Sequence, residues 1–83
     1  MISKIDIVNM LKTEIAKETG VPASQIGDNA SFSSLGLDSV RAVFILDTLE
    51  RRLGVEMNPL FFWDYPTIDL LADHITTLPG ADD

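Results

Sequence analysis

Eighty-three residues with thirteen acidic, six basic and one histidine side chain carry a formal charge of −7, and a chain this short makes one domain, because a half of about 40 residues could not bury enough apolar surface to stand alone. The charge disfavours nucleic acid and anionic membrane surfaces as partners, and the absence of cysteine beside a lone His74 excludes disulfides and argues against a structural metal. Apolar stretches of only a few residues fall far short of the roughly 20 that cross a bilayer, and Met1 to Lys12 lacks a basic-then-apolar leader pattern, so a soluble cytoplasmic protein is expected.

Ser3 precedes Ile5, Val8, Leu11 and Ile15, whose spacing of three and four predicts one apolar helical face. Asp6, three residues after Ser3, makes a capping-box-like start. A helix is expected from Lys4 to Thr19, ended by a left-handed Gly20 and kept from restarting by Pro22. From Val21 to Leu37 neither a helical nor a strand period holds, yet Val21, Ile26, Phe32 and Leu35 punctuate the stretch. It reads as a long loop pinned to the core, and loops of that length in compact domains are often functional.

Asp38 is a sound N-cap, and Ala42, Ile45, Leu46, Leu49 and Leu53 recur at helical spacing until Gly54 closes a second helix. On its other side Val40, Val43, Phe44 and Asp47 form a mixed apolar and acidic stripe that the core cannot bury at the same time, so it is left to solvent or to a partner. Asn58 and Pro59 open a short segment, Leu60 to Asp64, with proline at the first helical position. Thr67 then caps a last helix through Ile68, Leu71, Ala72 and Ile75, ending near Thr77 before Pro79 and Gly80. The expected fold is an all-α four-helix bundle, three main helices and a short one with a long first loop. The domain is expected over 1–78 with a flexible tail at 79–83, and the start at Met1 without a linker-like extension suggests a free-standing protein.

Ser39 sits where the loop gives way to the second helix, and two kinds of chemistry compete for it. A catalytic nucleophile needs a base within hydrogen-bond reach. His74 is the sole histidine, and beside Asp73 it reads more simply as a surface or half-buried helical residue. The hydrolase elbow asks for glycine two residues before and after the serine, where this chain has Leu37 and Arg41. The other reading makes Ser39 an acceptor, because unpaired N–H groups and the dipole at a helix start favour an added anionic group by roughly 0.3–1 kcal/mol.

Leu35, Gly36, Leu37, Asp38, Ser39 and Val40 at that helix start, followed by Asp64, Tyr65, Pro66 and Thr67, resemble the acyl carrier protein family, and the order of elements extends the resemblance over nearly the whole chain. The resemblance implies that Ser39 takes a 4′-phosphopantetheine arm from coenzyme A in the active site of a separate phosphopantetheinyl transferase. Asp38 would then serve recognition by that enzyme and help organise its magnesium. The arm would hold acyl groups as thioesters for acyl-loading and acyl-processing enzymes, and the carrier itself would be a monomer without catalysis of its own.

The stripe on the second helix becomes, by the same resemblance, the surface shown to partners. Val40, Val43 and Phe44 would make apolar contacts, and Asp47 and Glu50 would meet basic residues. The charge of −7 fits such steering as well as plain solubility. Arg41, Arg51 and Arg52 interrupt the acidity common on this helix in fatty-acid carriers, which points to a specialised partner set. The run Phe62 to Thr67 is similar to carriers of modular polyketide and nonribosomal peptide systems, so a polyketide, lipid or nonribosomal peptide pathway is expected, with an aryl or aminoacyl carrier as the alternative. An unmodified protein-interaction module is the competing class. Phe61, Phe62, Trp63 and Tyr65 either fill the core or line a cleft that shelters the cargo.

Overall fold

The computed structural model describes residues 2–80 and contains four helices: α1 (Lys4–Thr19), α2 (Ser39–Leu53), α3 (Phe61–Asp64) and α4 (Ile68–Ile75). Helix α1 begins as expected, the Ser3 hydroxyl accepting the Asp6 N–H at 3.3 Å, and ends at Gly20 with φ of 78°. Its buried stripe is Ile7, Val8, Leu11 and Ile15 rather than the one starting at Ile5, which is 62% exposed. At about 100° per residue, Ile5 stands about 105° around α1 from the middle of that stripe, and Ile7 takes its place in the core.

Helix α1 packs on both α4 and α2, and the core is closed by Ile45, Leu46 and Leu49 from α2 with Ile68, Leu71, Ala72 and Ile75 from α4. The long loop is pinned as the spacing suggested. Ile26 and Phe32 are buried, and Val21 and Leu35 pack half-buried against the same core. Two 3-10 turns, Ala23–Gln25 and Ser33–Leu35, organise it. Backbone bonds tie its middle to α4, the Phe32 N–H donating to the Pro66 carbonyl at 2.9 Å and the Asp69 N–H to the Asp28 carbonyl at 2.9 Å. A single antiparallel bridge between Ser31 and Thr67 is the one β-type pairing among the described residues.

Two boundaries differ from expectation. Pro59 lies before α3 instead of at its first position, because the Asn58 side chain accepts the Leu60 N–H at 2.9 Å and turns the chain there. Helix α4 stops at Ile75, since the Thr76 and Thr77 hydroxyls each donate to a carbonyl three residues back, at 2.6 Å, and the chain tightens into a turn. Of the expected tail, Ala81, Asp82 and Asp83 lie outside the described residues. Pro79 and Gly80 form a turn in which Gly80 approaches Gly54 and Val55, and its φ of 94° suits glycine.

Candidate functional site

Ser39 is the first residue of α2, and its side chain is exposed. The residue before it builds this start. Asp38 has an extended backbone, and its carboxylate Oδ1 accepts the Arg41 N–H at 2.8 Å, which satisfies one of the donors a helix start leaves unpaired. Gly36, with φ of 79°, closes the 3-10 turn ahead of Asp38, and the Leu37 N–H returns to the Phe32 carbonyl at 3.3 Å. The loop thus hands the chain to α2 with the serine hydroxyl facing outward.

Beside Ser39 runs a groove of about 350 Å³ between the loop, α2 and α3. Phe32, Leu37, Val43, Leu60, Phe62 and Trp63 supply its apolar walls, and Ser33, Asp38 and Ser39 its polar side chains. Phe32 meets Phe62 edge-on at 4.4 Å between ring centres, a favoured arrangement for aromatic pairs. The four aromatics expected to act together divide. Phe62 is buried, Trp63 is 74% exposed on the groove, and Phe61 and Tyr65 turn away to enclose His74. Tyr65 stacks on the imidazole at 4.1 Å and Phe61 meets it edge-on at 4.8 Å. His74 is half-buried on α4 and does not line the groove, so it packs as a helical aromatic, away from Ser39.

The stripe on α2 separates into parts. Val40, Val43 and Phe44 are all exposed, Phe44 by 59%, on the face turned from the buried Ala42, Ile45, Leu46 and Leu49. Asp47 shares that face, and its carboxylate lies 3.3 Å from Arg51, an exposed pair of little energetic weight. Glu50 stands apart from them, half-buried, with its Oε2 accepting the Met57 N–H at 2.9 Å and so holding the segment that leads to α3.

The arginines expected to interrupt the acidity of this helix are engaged with the chain itself. Arg41 Nη1 donates to the Glu18 carbonyl at 2.7 Å, and Arg52 reaches the buried Glu14 at 3.5 Å, with Lys17 on the same carboxylate at 3.4 Å. Sequence spacing could not find the groove residues Phe32, Leu37 and Pro66, because their contribution depends on where the aperiodic loop returns to the bundle. The apolar punctuation of that loop was the available signal.

The comparisons agree with this geometry. The family model described as "Phosphopantetheine attachment site" matches residues 9–75. Over 62 residues the chain is 39% identical to the non-reducing polyketide synthase PKS16 of Cladonia grayi, a match that covers 75% of this chain and 3% of that protein. The chain thus spans a few per cent of the length of the curated relatives it matches. Among solved structures, a free-standing peptidyl carrier protein from a secondary metabolic pathway of Acinetobacter baumannii superposes with a TM-score of 0.85 at 35% identity, covering 90% of this chain and 94% of that one. The HMG-ACPI domain from the CurA module of Lyngbya majuscula superposes with a TM-score of 0.80 at 27% identity, over 88% and 74% of the two chains. An all-helical fold, an exposed serine at the head of α2 and a match over most of the chain together make this protein a member of the phosphopantetheine attachment site family, whose cofactor is covalent 4′-phosphopantetheine.

Proposed function

We propose that this chain is an acyl carrier protein in which Ser39 bears the 4′-phosphopantetheine arm. The observation that supports it most directly is the exposed Ser39 at the first turn of α2, opening onto an apolar groove. The residues present fit such a group. The neighbouring N–H groups and the positive end of α2 favour a phosphodiester at this hydroxyl, and the groove offers apolar surface beside the attachment point. When attached, the arm supplies a terminal thiol that holds an acyl group as a thioester.

The chain's own part is presentation. Ser39 Oγ attacks the pantetheine-bearing phosphorus of coenzyme A within a phosphopantetheinyl transferase, forming the serine phosphodiester as the P–O bond of the pyrophosphate breaks and adenosine 3′,5′-bisphosphate leaves. The serine proton passes to a base of that enzyme, since His74 is engaged by Tyr65 and Phe61. Asp38 holds the first turn of α2 while the transferase acts and contributes to its recognition. Val40, Val43, Phe44 and Asp47 form the surface that acyl-loading and acyl-processing enzymes meet, with Glu50 at its border. The names of the curated relatives support a polyketide-type pathway. The likeness to the Acinetobacter carrier favours a second reading, an aminoacyl cargo on the same serine.

Intact mass after incubation with coenzyme A, magnesium and a broad-specificity transferase tests the proposal. The wild type is expected to gain one arm and Ser39→Ala none, with the fold of both unchanged. No gain on the wild type overturns the reading and leaves an unmodified interaction module, for which Ser39→Ala keeps function. Trp63 on the groove supports shelter of the cargo. Its emission is expected to differ between the unmodified and long-acyl forms, and identical spectra remove the shelter.

A further inference from the structure

The first turn of α2 has little apolar anchorage of its own. Ser39, Val40 and Arg41 are exposed, and Ala42 alone puts a methyl group into the core. Upstream, the backbone ties to the start of α4 end at Phe32, and a short 3-10 turn and the left-handed Gly36 lead from there to the helix. Across from this turn α1 ends, and a helix end leaves its last carbonyls without intrahelical partners. Arg41 joins the two. Its Nη1 donates to the Glu18 carbonyl at 2.7 Å, 23 residues away in sequence, while its own N–H is held by Asp38 at 2.8 Å. A guanidinium at the negative end of α1 adds a favourable charge–dipole contact to the hydrogen bond.

We propose that Arg41 is a positioning residue for arm attachment, bridging the first turn of α2 to the last turn of α1 and so setting where Ser39 Oγ stands on the bundle. The inference rests on Ser39 as the attachment site. It takes Arg41 out of the partner-facing charges, because its guanidinium is committed to the carrier's own backbone. Loss of the bridge leaves the serine on a turn that wanders within the docked complex, and misplacement by about 1 Å can cost on the order of a hundredfold in rate. The effect therefore falls on kcat for arm transfer, whereas a direct contact with the transferase would act through KM for the carrier.

Two measurements on Arg41→Ala and Arg41→Lys test this. In the free carrier, amide exchange at Ala42, whose N–H donates to the Asp38 carbonyl at 3.0 Å, is expected to quicken about fivefold to tenfold in Arg41→Ala, the scale of one exposed charged hydrogen bond. In arm transfer, kcat is expected to fall about tenfold with KM changed by less than about twofold. Arg41→Lys, which keeps a donor and a charge within reach of the carbonyl, recovers most of both losses. Unchanged exchange at Ala42, or a rise in KM alone, overturns the role of Arg41 while arm transfer to the wild type continues. A wild type that gains no arm overturns the carrier reading instead, and the exchange result is obtained without any transferase.

Discussion

The α1–α4 side and the α2–α3 edge of this bundle use apolar side chains in opposite ways. Ile7, Leu11 and Ile15 of α1 meet Ile68, Leu71 and Ile75 of α4 with no exposed surface at all. At the other edge Val40, Val43, Phe44, Leu60 and Trp63 are exposed around the serine. Folding accounts for the first set through area removed from water. It gives no reason for the second, which gathers exposed apolar side chains at one edge of the bundle. The first set maintains the fold, and the second is the surface that the proposed carrier role would use.

Substitutions on the two sides should therefore separate stability from association. Leu71→Ala, on the closed side, is expected to cost about 2–5 kcal/mol in denaturant unfolding, and a cost below about 1 kcal/mol would mean that this side is not the tightly packed one. Asp38→Ala removes the cap of α2 and is expected to cost about 1 kcal/mol in the same measurement, a loss that Asp38→Asn should largely avoid. Phe44→Ala and Trp63→Ala are expected to leave stability within about 0.5 kcal/mol while weakening association with a loading enzyme about tenfold or more. Thermal melts beside binding titrations check the pair, and a large stability loss without a binding loss would place these aromatics among the fold-maintaining residues.

The smallest effect concerns Lys4 at the start of α1. Its ammonium donates to the Asp69 carboxylate at 2.7 Å and lies 3.3 Å from that of Asp73, which raises its pKa above the ordinary 10.5. A group whose pKa is raised by folding stabilises the folded state fully below its unfolded value, and that contribution is lost as pH rises through the folded value. The unfolding midpoint should thus decline above pH 10.5, and Lys4→Met should lose the part of that decline due to this ion pair. Solvent access to the pair keeps the effect small. An identical alkaline profile for the variant would show that the pair adds nothing to stability.

Much of the site was legible because it depends on neighbours in sequence. Asp38 capping Arg41 N–H, Ser39 opening α2 and Gly54 ending it are events within one turn of chain, and residue types with strong local preferences dictate them. The outward stripe of Val40, Val43, Phe44 and Asp47 followed from helical periodicity once Ala42, Ile45, Leu46 and Leu49 were assigned to the core. The expectation for Ile5 fails because a spacing of three or four is shared by two overlapping arcs of α1, and only the positions of α2 and α4 choose between them. The partners of Glu50, Arg41 and Arg52 are equally hidden from the sequence, since Met57 lies past the end of α2 and Glu18 and Glu14 belong to α1, whereas Arg51 meets Asp47 at ordinary helical spacing.

The amino-acid sequence by itself determined four helices, the N-caps of α1, α2 and α4, a pinned loop and an exposed serine at a helix start, all consequences of short-range sterics, capping and apolar period. Tertiary structure decided which aromatics share a groove with that serine and which enclose His74, where Phe32 meets Phe62, and that Arg41 reaches the end of α1. These outcomes depend on how an aperiodic loop closes between Gly20 and Asp38. That closure is set by long-range burial of Ile26 and Phe32 and by backbone bonds to the start of α4, interactions whose partners are distant in the chain and leave no periodic mark along it.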